Sequence, residues 1–146
     1  MGLSDRAVKA AEKAQQSMYD LMEAEQLSRQ AAAYGWALNA FGEAATDKLE
    51  RVRRLFEEVT ELAQAEGLDQ EQCAAILTYT FAKPCGDPKQ ELGGVMLTSL
   101  IYAESVGVSR HEAETMELHR VMSKPAEYWK ARHNAKADQG VARRAT

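Results

Sequence analysis

Between Asp47 and Glu66 the apolar residues Leu49, Val52, Leu55, Phe56, Val59, Leu62 and Ala63 return every third or fourth position, which is the repeat of a helix with one apolar face. The same spacing runs through the rest of the chain, and no stretch of β-branched residues alternates as a strand would. The expected fold class is therefore all-α, a helical bundle. Helix punctuation divides the chain further. Ser4 and Asp5 are expected to cap a first helix that runs towards Arg29 with a thin stripe of Val8, Ala11, Ala14, Met18 and Leu21. That stripe is Ala-heavy, so the helix is expected to pack late or within an oligomer. A second, shorter segment carries Tyr34, Trp36, Leu38 and Phe41 and stops at Gly42. Gly67 ends the helix that follows. Asp69 caps another, with Cys73, Ile76, Leu77 and Phe81, which cannot pass Pro84. Pro88 opens a helix to about Val106, closed by Gly107. Ser109 caps the next, through Val121, and Pro125 opens a last helix that frays into a basic tail.

A length of 146 residues, 45% of them hydrophobic and 25 of them Ala, is one domain's worth of helix-forming chain and excludes a disordered, collagen-like or disulfide-dense protein. The organisation read from the sequence is an N-terminal helix over 1–30, a helical domain over 31–137 and a basic flexible tail over 138–146. Cys73 and Cys85 have no zinc-ligand spacing and are expected to be reduced thiols, the first packed, the second in a loop. With no signal-like or membrane-spanning run, a cytoplasmic protein without a membrane partner is expected. The formal charge of −4 is unevenly spread, with +4 in residues 124–146 and −8 before them. An acidic body with a basic end argues against a nucleic-acid polymer as partner and leaves room for a cation site.

Acid gathers at the edge of an apolar stripe in two places. Glu58 and Glu61, three apart, project from neighbouring turns of one helix face, and Glu57 points further round, towards solvent. Glu91 shares a face with Val95, Thr98 and Tyr102, and the Gly93-Gly94 pair after it, unfavourable in a helix by roughly 1 kcal/mol per Gly, suits close approach of another helix or a ligand. Were these helices to pack side by side, three glutamates would converge and call for a cation; an all-oxygen set suits Mg²⁺ or Mn²⁺. The other reading of Glu58 and Glu61 is a solvated face, with Arg51 and Arg54 able to pair with the acids. Asp87 likewise has two readings: an N-cap before Pro88, with Gln90 completing a capping box, or a further metal ligand.

Three segments taken in order, Arg54 to Ala65 with its Glu57-Glu58-Val59-Thr60-Glu61-Leu62 core, Gly86 to Thr98 with Glu91-Leu92-Gly93-Gly94, and Glu117-Leu118-His119-Arg120-Val121, resemble the MazG-like all-α nucleoside triphosphate pyrophosphohydrolases. The resemblance is to a branch frequent in bacteriophage and prophage genomes and covers about residues 31 to 137. It implies that Glu58, Glu61 and Glu91 are the metal and catalytic acids. The superfamily's fourth acid, an Asp, is replaced here by Gly94, which leaves metal number and activity open. Arg120 falls where the superfamily places a basic residue near the triphosphate. Lys124, Lys130 and Lys136 follow and either neutralise phosphate or form a solvated basic face, and Lys83 is a similar candidate. Trp36 resembles the aromatic that stacks on the base, although a Trp at helical spacing also fits the core. His111, His119 and His133 are scattered and expected to be exposed.

The function implied is Mg²⁺-dependent conversion of a (deoxy)nucleoside triphosphate or related nucleotide to monophosphate and pyrophosphate. One of the three glutamates, or Glu57 behind them, would orient the attacking water, in a homodimer or a dimer of dimers. The alternatives are a nucleotide-binding protein of the same fold that lost turnover with the fourth acid, and a helical adaptor with no nucleotide site.

Overall fold

The computed structural model describes residues 3–145. Every regular element among them is helical: α1 (Leu3–Phe41), a 3-10 turn (Gly42–Ala45), α2 (Lys48–Ala65), α3 (Gln70–Phe81), α4 (Pro88–Ser105), α5 (Arg110–Met122) and α6 (Ala126–Asp138).

The helix boundaries follow local chemistry. Asp47, Asp69, Asp87 and Ser109 each accept backbone N–H groups from the first turn of α2, α3, α4 and α5, and Asp69 with Gln72 closes a full capping box. At the other ends, Gly67 and Gly107 take left-handed φ values of 91° and 69°. These let Leu68 N–H reach the Ala63 carbonyl and Val108 N–H reach the Ala103 carbonyl, both at 2.9 Å, satisfying carbonyls that the helices leave open.

Two expectations about the N-terminal third are corrected. The chain is already helical at Leu3, so Ser4 and Asp5 lie within the first turn. The helix also does not break after Arg29: Ala31-Ala32-Ala33 has the highest helix propensity available, no Pro intervenes, and the lone Gly35 is not enough to stop it. The result is 39 continuous residues, about 58 Å long.

The buried cluster sits at one end of this helix. Ala37, Ala40 and Phe41 of α1, Ala44 and Ala45 of the 3-10 turn, Val121 of α5, Trp129 of α6 and the near-terminal Ala145 form it, with Trp36 and Leu118 packed alongside. Small Ala side chains let α1, the turn and α6 approach closely, and the aromatic rings fill what remains. The Trp129 indole N–H donates to the Val121 carbonyl at 2.7 Å, satisfying its one polar atom.

The apolar face of α2 turns the other way. Leu49 and Val52 are 60% exposed, and Leu55, Phe56, Val59 and Leu62 are exposed with them, whereas Glu50 is fully buried. Among the described residues nothing lies against the Gly93-Gly94 face either, since a Cβ at either position would meet open space. The total surface is 11517 Å², against about 7,500 Å² for a folded monomer of this mass. No single helix among the described residues is long and apolar enough to cross a membrane.

The last residues are tied to this core. Arg143 N–H donates to Glu50 Oε2 at 2.8 Å, the Arg143 guanidinium lies 2.6 Å from Asp47 Oδ2, and Ala145 N–H donates to Asn134 Oδ1 at 2.8 Å.

Candidate functional site

The Asp47 cap starts α2 in a register that sets Arg51, Arg54, Glu58 and Glu61 along one face, at spacings of three, four and three residues. This is the polar face of α2, and it borders a cleft of about 520 Å³ whose other walls are α1, α5 and α6. That volume falls within the usual range for small-molecule sites. Trp36 lines the cleft from α1, Arg120 from α5, and Lys136 and Trp129 from α6. Five residues singled out in the sequence therefore share one cavity: Glu58, Glu61, Arg120, Lys136 and Trp36.

The acids set the local electrostatics. Partial removal from water pushes the Glu58 carboxyl above its ordinary range, and the neighbouring Glu61 carboxylate pushes it the same way, with smaller contributions from Glu57 and Glu117; Lys136 opposes them. A carboxylate crowded by other carboxylates is held back from ionising until positive charge arrives.

The cations of the cleft are mostly matched. Lys136 Nζ lies 2.7 Å from Glu57 Oε1, and Arg54 pairs with the same carboxylate. Arg120 Nε donates to Glu117 Oε2 at 2.6 Å, which together with the Glu117 charge holds the guanidinium protonated more firmly than usual, and its Cζ stands 5.1 Å from the Trp129 ring centre. Arg29 Nη1 donates to Thr115 at 2.8 Å and lies 3.8 Å from Glu114.

Trp36 is half-buried and meets Phe41 and Trp129 edge-to-face, at centroid distances of 5.4 and 5.8 Å. It belongs to the core and the cleft wall at once. Glu57, read from the sequence as pointing to solvent, instead faces α6 and takes Lys136 and Arg54, because the apolar stripe of α2 has turned outward and left its polar face inside.

Three candidates lie elsewhere. Glu91 sits on the exposed first turn of α4, its carboxylate folded over Gly86, where an added Cβ would fall 2.1 Å from Oε1. It does not line the cleft, and no group of three or more acidic, His or Cys side chains is placed to hold a metal ion among the described residues. The side-by-side packing that would bring Glu91 to Glu58 and Glu61 is thus not made among the described residues. Asp87 accepts from Lys89 N–H at 3.1 Å and Gln90 N–H at 3.0 Å, the cap expected of it. Lys124 lies on the exposed turn between α5 and α6, outside the cleft lining, where its charge helps to lower the Tyr128 phenol below its ordinary range after the larger effect of Arg132.

Sequence reasoning missed a buried polar group below the cleft. Glu50 accepts from Arg143 N–H, its Oε1 lies 3.1 Å from Arg54 Nε and 3.8 Å from His133 Nε2, and His133 also contacts the Arg143 carbonyl. His133 is therefore buried at 4% exposure, not on the surface as expected. The Glu50, Arg54, Glu57 alternation of charge at helical spacing was the available signal.

A larger groove of about 740 Å³ lies across α2, against α3, with Phe56, Leu68, Cys73 and Val141 in its walls. Arg53, Glu57 and Asp69 also line it, and Arg54 and Glu61 border both hollows. No family model matches this chain, and no curated protein or solved structure matches it either.

Proposed function

We propose that the cleft is the active site of a Mg²⁺- or Mn²⁺-dependent nucleotide pyrophosphohydrolase, which converts a (deoxy)nucleoside triphosphate or related nucleotide to monophosphate and pyrophosphate. The observation that carries this reading is the gathering of Glu58, Glu61, Arg120, Lys136 and Trp36, from four helices, around one cavity of nucleotide-compatible size. The resemblance of the three sequence segments to MazG-like enzymes supports it from the side of chemistry.

The donor set fits the cation. Mg²⁺ is commonly held by one or two carboxylates, with waters and substrate phosphates completing its shell, so Glu58 and Glu61 suffice as the protein's share. When bound, the ion supplies neutralisation of the phosphates and a more acidic water. The protein's own groups do the rest. Glu58 and Glu61 orient the incoming water from the acidic side, and Trp36 offers its ring face to the base. Arg120 and Lys136 face the leaving pyrophosphate, each held by a carboxylate, Glu117 and Glu57, that fixes its position. Glu57, occupied by two cations, is not the base.

The partner completing this chain is a second copy. The outward apolar stripe of α2 and the excess surface are what support a homodimer.

A second reading, nucleotide binding without turnover, is favoured by the distance of Glu91 from the cleft and by Gly94 where a fourth acid would stand. Pyrophosphate release from a panel of ribo- and deoxyribonucleoside triphosphates with Mg²⁺ separates the two. Turnover that falls at least a hundredfold in Glu58→Gln and Glu61→Gln supports the enzyme. Nucleotide binding with no release from any substrate supports the second reading, and neither binding nor release overturns both.

A further inference from the structure

Arg51 differs from the other cations of the cleft. No acid pairs with it among the described residues, yet its Nε and Nη2 are shielded from water and make no hydrogen bond, and the same holds for Nε1 of Trp36. Both side chains line the cleft and flank a single ring: the Arg51 Cζ lies 5.5 Å from the Phe41 centroid and the Trp36 ring 5.4 Å from it. Glu50 Oε1 and Arg54 Nε, also shielded and without a hydrogen bond, at least face each other at 3.1 Å, whereas the Arg51 and Trp36 donors face no acceptor. Shielded donors without acceptors are costly, so a site that keeps several together is matched to something that brings acceptors.

We propose that Arg51, with the Trp36 indole N–H beside it, forms an oxyanion subsite at the floor of the cleft, and that it receives a phosphate group of the bound nucleotide. The inference rests on the nucleotide reading of the cleft and names a residue that neither the sequence motifs nor the acidic pair point to. A guanidinium offers a planar fork of donors that matches two phosphate oxygens, and an indole N–H donates and cannot accept, so the pair selects an anionic acceptor. Position agrees with this. Arg51 stands two helical turns before Glu58 on the same face of α2, about 10 Å along the helix axis, so a phosphate there does not have to touch the carboxylates. Burial lowers the Arg51 pKa, a cost that an incoming anion would reverse.

The chain's two tryptophans, Trp36 and Trp129, both line this cleft, so intrinsic fluorescence reports on it directly. Full-length protein in EDTA is titrated with inorganic pyrophosphate. A saturable fluorescence change is expected in the wild type, weakened at least tenfold in Arg51→Gln, less in Arg51→Lys and a few-fold in Trp36→Phe. Thermal melting controls for folding: Arg51→Gln, which removes a half-buried cation that no acid pairs with directly and that Glu50 and Asp47 favour only from a distance, is expected to melt at or above the wild-type temperature. The subsite is overturned if the wild type gives no saturable change, if Arg51→Gln binds pyrophosphate as the wild type does, or if that variant melts lower while binding is retained. Failure of the hydrolase reading looks different. It leaves metal-free pyrophosphate binding intact and shows no pyrophosphate release from nucleotides with Mg²⁺.

Discussion

The backbone N–H of Arg143 donates to the buried Oε2 of Glu50 at 2.8 Å, joining the end of the chain to the first turn of α2 across 93 positions of sequence. The carboxylate also lies 3.1 Å from Arg54 Nε, and Arg54 in turn pairs with Glu57, which holds Lys136. One buried acid thus underlies a chain of charges that reaches the cleft wall.

Removing Glu50 is therefore expected to cost more than its location on a surface-looking helix suggests. Glu50→Ala leaves the Arg54 guanidinium and the Arg143 amide without their shared acceptor in a shielded place. Losing one partner of a buried charged group costs about 3–5 kcal/mol. Urea denaturation monitored by circular dichroism measures it. Truncation before Val141 should cost part of the same energy, and the double change should cost less than the sum, since both break one network. Strict additivity would mean that the C-terminal residues and Glu50 act independently.

The inside-out arrangement of α2 marks the limit of what its sequence discloses. Periodicity identifies which residues share a face: Leu49, Val52, Phe56 and Val59 do lie together, as do Arg51, Arg54, Glu58 and Glu61. It does not say which face meets the rest of the same chain. Hydrophobicity alone assigns the apolar face to the core, but here the core is built from Ala and aromatic residues of α1, the 3-10 turn and α6. Local signals fared better. Asp69 with Gln72, Asp87 before Pro88, Gly67 and Gly107 act within one helical turn, so no knowledge of distant packing is needed to read them. Glu58, Glu61, Arg120, Lys136 and Trp36 were legible as candidates because each carries suitable chemistry. Glu91 was grouped with them on an assumed packing of α4 along α2, whereas it is Tyr102, eleven residues further along α4, that reaches Glu66 at the end of α2. Glu50 was invisible because it is capped by Arg143, 93 positions away, and His133 because it packs against Glu50 and Phe41, distant in sequence.

Glu58 gives the site a pH signature. Burial and the Glu61 charge hold its carboxyl above the ordinary 4.5 in the folded protein. Between that value and the folded pKa the native state binds more protons than the unfolded state, so this group's contribution to stability falls as pH rises through the window. Glu58→Gln is expected to melt above the wild type at neutral pH in EDTA, with the gap closing as pH drops below the carboxylate range. On the proposed reading Mg²⁺ should reverse the order: at a hundred times its Kd it is expected to add about 2.7 kcal/mol to the wild type and little to the variant. Scanning calorimetry at two pH values, with and without Mg²⁺, checks both. A wild type that melts above Glu58→Gln in EDTA at every pH would contradict the electrostatic account.

Gly35 offers a test of α1's continuity. It lies in the helix with a φ that L-residues accept, and a Cβ there would meet nothing within 4 Å. Gly35→Ala is expected to stabilise the protein by about 0.5–1 kcal/mol by lowering the freedom of the unfolded chain. Equilibrium unfolding reads the gain. A loss instead would mean that the segment around Tyr34 bends in solution, as its sequence first suggests.

The surface left bare by α2 leads to the remaining prediction. The chain exposes 11517 Å², about 4,000 Å² more than a folded monomer of its mass should. Intimate homodimers bury roughly 1,000–2,500 Å² per partner, so one isologous interface falls within the excess. Val52 and Val59, 60% and 48% exposed, stand two turns apart on the outward apolar face, away from the cleft-lining side of α2. Sedimentation equilibrium at micromolar concentration should give twice 16.2 kDa for the wild type, and Val52→Lys with Val59→Lys should shift it towards the monomer mass. Both charges point away from the chain's own core, so the separated variant should keep its helical circular dichroism while melting earlier, because the wild-type dimer alone gains stability by association. A wild type that is monomeric at all concentrations would show that this chain tolerates its apolar face in water, and a double variant that remains dimeric would move the interface to the equally bare α3 and α4.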